Sequence, residues 1–347
     1  MAQALISRKG GGGSSSDYAT VTFNNVSNLA RSTPTRLSVE RSNLAATTVS
    51  SYALFGGGGS SIGEVATVDA YNTSLERSTP TALSEAKYGL AATTVGGYAL
   101  FGGGGYSSFS VRSTVDAYDS NLTKSTLTSL SVARKYLAAT TVGNYALFGG
   151  GEYNGNYYST VDAYNTSLTR STPTELSVAR SSLSATTVGN YALFGGGRNS
   201  GNYYSTVDAY NTSLTRSTPT ELSAGRSNLA ATMVGDYALF GGGENNGNYF
   251  STVDAYNTSL IRSTPTSLSA GRRILAATIV GDYALFGGGG SSSIVDAYSL
   301  NNKIQVYPGT KYKLGSMTDE VTSDSMQMIT TTSPITGYIK IKNATIN

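Results

Sequence analysis

The chain alternates short apolar runs with glycine and Ser/Thr/Asn clusters, and the alternation repeats. In one unit, Leu137–Val142 (Leu-Ala-Ala-Thr-Thr-Val) is a small, β-branched run that stops at Gly143-Asn144, a two-residue hairpin signal. Tyr145-Ala-Leu-Phe148 follows and is stopped by three glycines. After a loop of variable sequence comes Ser159-Thr-Val-Asp-Ala-Tyr164, then the turn Asn165-Thr-Ser, then a last extended stretch from Arg170 to Leu176 that contains Pro173. Proline belongs on an edge strand, so the pattern predicts four strands with the fourth outermost. The Ala and Thr of the first strand suit the crowded inner position of a radial array. No 3.6-residue period survives the glycines, which rejects a helical solenoid.

Tyr-Ala-Leu-Phe-Gly-Gly-Gly begins at Tyr52, Tyr98, Tyr145, Tyr191, Tyr237 and Tyr283, at spacings of 46, 47, 46, 46 and 46 residues. Val-Asp-Ala-Tyr follows each copy, at Val68, Val115, Val161, Val207, Val253 and Val295. A degenerate earlier copy, Ala4-Leu-Ile-Ser-Arg-Lys-Gly-Gly11, has Thr20-Val-Thr-Phe23 as its partner. Four strands per unit of this length is the propeller class. The expected fold is all-β: a seven-bladed β-propeller with four-stranded antiparallel blades over residues 1–303, followed by a C-terminal β segment, 304–347. The first unit starts without its innermost strand. The C-terminal segment is expected to supply it and close the ring, from Met328-Ile-Thr-Thr-Thr or Gly337-Tyr-Ile-Lys-Ile. A small separate element over 304–347 is the alternative.

Composition narrows the chemistry. The 347 residues include no Cys, His or Trp, but 41 Gly and 25 Tyr. A disulfide framework, a thiol nucleophile, an ordinary zinc site and a Ser-His-Asp triad are therefore excluded. A net charge of +3 is too small for a nucleic-acid footprint. No apolar stretch approaches a membrane span, and the first residues do not read as a signal peptide. The glycine runs lack the Gly-Lys-Ser/Thr of a phosphate loop. No cofactor and no metal are expected. The carboxylates that recur once per unit, Asp116, Asp162, Asp208 and Asp254, read as structural, so the chain is expected not to be an enzyme.

The apolar strand ending in Gly-Gly, the downstream Val-x-x-Tyr and a basic residue before each first strand together resemble Kelch-repeat β-propellers. That basic residue is Arg41, Lys87, Arg134, Arg180, Arg226 and Arg272. The resemblance spans about residues 4–300 and departs in one respect: Leu176 and its equivalents stand where Kelch units usually have Trp. Kelch-like copper-radical oxidases need His ligands and a Cys–Tyr cross-link, which this chain cannot provide. Kelch modules that bind acidic peptides use arginines near the blade entry, so the resemblance permits that use of Arg134, Arg180, Arg226 and Arg272.

Differences between units carry the functional signal. Residues 144–189 and 190–235 differ at eight of 46 positions. Three are consecutive in the loop after the glycines: Glu152/Arg198, Tyr153/Asn199 and Asn154/Ser200. Val178/Ala224, Ala179/Gly225, Ser182/Asn228, Ser184/Ala230 and Thr187/Met233 flank or enter the next first strand. In an up-and-down blade these loops emerge on one face, whereas the Asn-Thr-Ser turn of the other face is copied almost unchanged. Tyr106, Phe109, Glu152, Tyr153, Asn154, Tyr157, Arg198, Asn199, Tyr203, Glu244, Asn245 and Tyr249 form the candidate recognition rim. Rigid aromatics among small polar residues are the mixture of a paratope, and they suit saccharides. Drift of unconstrained surface loops is the alternative.

A second basic series, Arg77, Lys124, Arg170, Arg216 and Arg262, reads as a solvated face. The Asn-Thr-Ser sites read as turns rather than glycosylation acceptors. The expected function is a non-enzymatic binding propeller of a bacteriophage virion (tail fibre, baseplate or decoration) or a surface adhesin that recognises a host glycan. Its C-terminal segment would dock to other virion or surface proteins, with no nucleic acid and no membrane insertion, and its place would be the virion or extracellular surface. The alternatives are an assembly or decoration protein without a ligand and an adaptor for acidic peptides.

Overall fold

The computed structural model describes residues 34–106, 110–290 and 292–300, together with the strands Ala4–Ser7, Ala19–Phe23, Ile304–Val306, Thr310–Lys313, Glu320–Ser323, Gln327–Ile329 and Thr336–Ile339. Two compact units result, 33–299 on the one hand and 1–32 with 300–347 on the other.

The larger unit is a β-propeller of antiparallel blades. In the fourth blade, Ser184–Val188, Tyr191–Gly195, Val207–Asn211 and Arg216–Ser217 lie side by side in chain order, from inner to outer strand. Register pairs Thr186 with Leu193 and Phe194 with Asp208. Inner strands Ala45–Val49, Ala91–Val95, Ala138–Val142, Ala230–Val234 and Ala276–Val280 start the other blades. The sixth blade has three strands among the described residues, ending with Val295–Ser299.

Successive blades are joined by one repeated knob and hole. Phe240 of the fifth blade packs where a Cβ on Gly195 of the fourth would lie, 2.8 Å from the ring, so only glycine fits. The same ring meets Tyr256 edge to face at 6.0 Å, and the Tyr256 hydroxyl donates to the Thr220 carbonyl at 2.7 Å. Next to this joint, Gly196 sits at φ +68 with its Cα against the Arg226 carbonyl, a conformation and an approach that both exclude a side chain. Each core cluster accordingly combines one blade with the face of the next: Val188, Leu193, Val207, Leu222 and Leu229 with Ala238, Phe240 and Tyr256. Leu176 is buried in the preceding cluster.

Among the described residues the propeller has six blades, not the seven expected from the repeat count. The described strands of the degenerate first copy are not among these six blades. Its strand Ala4–Ser7 pairs with Ala19–Phe23, which pairs with Thr336–Ile339, and this three-stranded sheet belongs to the smaller unit. The sequence supplies a reason. Ile6 and Ser7 stand where the other copies have Phe and Gly, so the copy lacks both halves of the blade-to-blade joint. The expected ring closure is corrected as well. Thr336–Ile339 joins on the side of Ala19–Phe23 away from Ala4–Ser7, an outer rather than an innermost position, while Gln327–Ile329 pairs with Ile304–Val306.

On the face with copied turns, Asn165 Oδ1 accepts the N–H groups of Ser167 and Thr169 at 3.0 and 2.9 Å, and Asn211 and Asn257 do the same. These asparagines are turn formers, which explains why the position is constant.

Candidate functional site

The repeated charges are part of the blade. Asp208 is fully buried and accepts from Arg180 Nη2 at 2.8 Å, Arg216 Nη1 at 2.8 Å and the Ser177 N–H at 3.0 Å. Arg180 also donates to the carbonyls of Phe194 and Val178. The same clasp joins Arg41 and Arg77 to Asp69, Arg134 and Arg170 to Asp162, and Arg226 and Arg262 to Asp254. In the second blade lysines replace both arginines, and their ammonium groups stand 3.7 and 3.6 Å from Asp116. Burial pushes the guanidinium groups of Arg134, Arg180 and Arg226 below their ordinary value, while their aspartates pull them back up. For Asp69, burial alone would raise the carboxyl, but hydrogen bonds from Ser38, Arg77 and Arg41 outweigh it and hold the group below its usual value.

This geometry changes two readings of the basic residues. Arg134, Arg180 and Arg226 have no exposed surface and Arg272 almost none, so none of them is presented to a partner's carboxylate. The outer series is not simply solvated: Arg77, Arg170, Arg216 and Arg262 are about three-quarters buried and close the clasp from outside.

The variable loops do share one face. The segment entering each blade runs antiparallel to that blade's hairpin loop: Lys135 beside Glu152, Ser181 beside Arg198 and Ser227 beside Glu244. Glu152-Tyr153 and Asn156-Tyr157 form a two-residue ribbon around Asn154, which takes φ +48 at its tip. Arg198-Asn199 and Glu244-Asn245 pair likewise with Asn202-Tyr203 and Asn248-Tyr249. Tyr106 and Tyr249 are exposed, with Arg112 and Arg273 guanidinium groups over their rings at 5.2 and 5.3 Å. Tyr153, Tyr157 and Tyr203 are half-buried. Asn199 and Asn245 tie their loops down by donating to the Ala179 and Gly225 carbonyls. Glu244 is buried, accepting from Arg273 at 2.6 Å and Asn228 at 2.8 Å. Phe109 lies outside the described residues.

At the centre of this face a cavity of about 230 Å³ opens at the mouth of the channel. Leu44, Leu90, Leu137, Leu183, Leu229 and Leu275 line it, each preceded by a residue at positive φ: Asn43, Gly89, Tyr136, Ser182, Asn228 and Ile274. The N–H of each later residue donates to the carbonyl of the one before it, at 2.8–2.9 Å. Glycine and asparagine suit this conformation; Tyr136 and the β-branched Ile274, both at φ +55, do not. Tyr136 meets Tyr88 edge to face at 6.0 Å under the Lys135 ammonium, which donates to the Tyr88 hydroxyl at 2.9 Å. Burial first, then Tyr88 and Glu152, push the Tyr136 hydroxyl up to about 12 against the pull of Arg198, so it stays protonated at neutral pH.

The sequence reading named the peripheral hairpins but not Tyr88, Lys135 or Tyr136. The signal was present: the position before the constant Leu carries Asn, Gly, Tyr, Ser, Asn and Ile in six successive units. The chain matches no protein-family model and no curated protein.

Proposed function

We propose that this chain is a non-enzymatic recognition propeller of the Kelch type, whose variable face binds a saccharide displayed on a surface. It would act as a virion or cell-surface module, with the terminal unit as its attachment. The observation that supports this reading is that most of the differences between residues 144–189 and 190–235 fall on or near one face, where exposed and half-buried tyrosines lie among Asn, Ser and Gly and leucines line a central cavity. Sugar rings pair an apolar face with a rim of hydroxyls, which that mixture complements. In the framework below, every recurring carboxylate is already clasped by cations, leaving the face as the part of the molecule that differs from blade to blade.

The test is binding of labelled protein to a panel of isolated bacterial surface polysaccharides. Saturable binding to one of them, weakened at least about tenfold by Tyr136→Ser or Tyr249→Ser, is expected. Binding to none, by protein with a native melting transition, would overturn the reading.

A further inference from the structure

Three successive hairpins carry Glu152, Arg198 and Glu244 at one equivalent position. Each faces the residue after the entry cation of the next blade. Glu152 Oε2 accepts from Ser181 Oγ at 3.0 Å, and Glu244 Oε2 accepts from Arg273 Nη1 at 2.6 Å. Arg198 breaks the series. Among the described residues it forms no ion pair and donates no side-chain hydrogen bond. The residue that should face it, Ser227, is fully buried, and its Oγ is also without a partner. A cation thus stands where both neighbouring blades place a carboxylate, and it faces a buried hydroxyl without a partner. Ser227 Oγ is the only side-chain oxygen orphaned in this way among the described residues, and an orphaned buried hydroxyl requires a reason.

The place matters as much as the charge. The Arg198 backbone pairs with Ser181, directly before Ser182 of the cavity wall, and Ser227 directly precedes Asn228 of the same wall. Tyr136, across the cavity wall from the third blade, lies within the electrostatic reach of Arg198.

We infer that Arg198 and Ser227 form a carboxylate site at the edge of the channel mouth, and that the saccharide of the proposed function is an acidic one, a uronic-acid type sugar. Its carboxylate replaces the missing glutamate, taking a two-pronged grip from the guanidinium and a hydrogen bond from Ser227 Oγ. Its ring enters the cavity beside Tyr136, Ser182 and Asn228. Among the described residues no ion pair or side-chain hydrogen bond fixes the half-buried guanidinium, so it can swing aside to open the way to the buried Ser227 and then close on the carboxylate. This inference rests on the saccharide reading above.

The repeat itself supplies a variant that keeps the fold: Arg198→Glu recreates the Glu152–Ser181 pairing one blade later. Binding of oligosaccharides rich in glucuronic or galacturonic acid, and of the same oligosaccharides after carboxyl reduction, is measured by calorimetry for both proteins. The expected result is affinity for an acidic form that falls at least about tenfold on carboxyl reduction, and by a similar factor in Arg198→Glu, whose melting temperature stays at or above that of the parent. Affinity for the acidic form should also weaken as salt is raised. Equal affinity for acidic and reduced forms, or unchanged binding by Arg198→Glu, would overturn the carboxylate site while leaving saccharide recognition in place. Binding of neither form, nor of any polysaccharide in the wider panel, would overturn both.

Discussion

The fourth and sixth blades are built from nearly the same residues, yet they live in different surroundings. Val207 is fully buried and Val295, its equivalent, is 61% exposed. The inner strand Ser184–Val188 buries Thr186 and Val188, whereas Ile279 and Val280 in the sixth blade are exposed. Asp208 is held by two cations and has no exposed surface; Asp296 has only Arg272 among the described residues and is 17% exposed. Same sequence, different neighbour: burial in this fold is given to a blade by the one that follows it. Stability is then a sum over joints rather than over blades, as in other repeat proteins.

The clasp offers the sharpest test of that contrast. Asp208→Ala leaves two buried or half-buried guanidinium groups uncompensated and should cost about 3–5 kcal/mol in chemical denaturation. Asp296→Ala should cost less than half as much; equal losses would refute the dependence on neighbours. Acid probes the same feature. Because the Asp69 carboxyl is held below its ordinary value near 3.8, its contribution to stability is complete above that value and is lost as pH falls through the lower, folded one. Denaturation midpoints should therefore decline below about pH 4, and Asp69→Asn should flatten that decline. For side-chain packing, Val207→Ala should cost about 2 kcal/mol and Val295→Ala close to nothing, read from melting curves of the two variants. One substitution is expected to bring a gain. Lys87→Arg restores the consensus clasp on Asp116, where ammonium now stands 3.7 Å away against 2.7–2.9 Å for the arginines, and should stabilise by about 1 kcal/mol.

What the sequence disclosed follows from what repeats. The hairpin at Gly143-Asn144, the glycine stop after Phe148 and the Asn165 turn are local signals, and each lies where the pattern places it, whereas the outer strand expected from Arg170 to Leu176 is only Arg170–Ser171 and ends before Pro173. The number of blades is not local. Ala4-Leu-Ile-Ser scores as a copy by its periodicity, but a blade needs a partner face, and the residues of the joint, Phe and Gly, are the two this copy has lost. The candidate face was legible as variation, and its hairpins do pair with the entry segments. The fate of the arginines was not. Arg180 and Arg198 are both cations near one rim in sequence, and only the fold shows that the first is enclosed with Asp208 while the second has no ion-pair partner among the described residues.

The chain of backbone bonds around the channel mouth has an electrical consequence. Asn43, Gly89, Tyr136, Ser182, Asn228 and Ile274 pass N–H to carbonyl in one sense along the arc, so their amide dipoles follow the circumference. A dipole perpendicular to the line joining it to the axis contributes no potential there. The mouth thus lacks the built-in positive field that a helix terminus offers an anion. This ring of amides therefore favours neither sign of charge at the centre of the face and leaves that choice to the side chains around it.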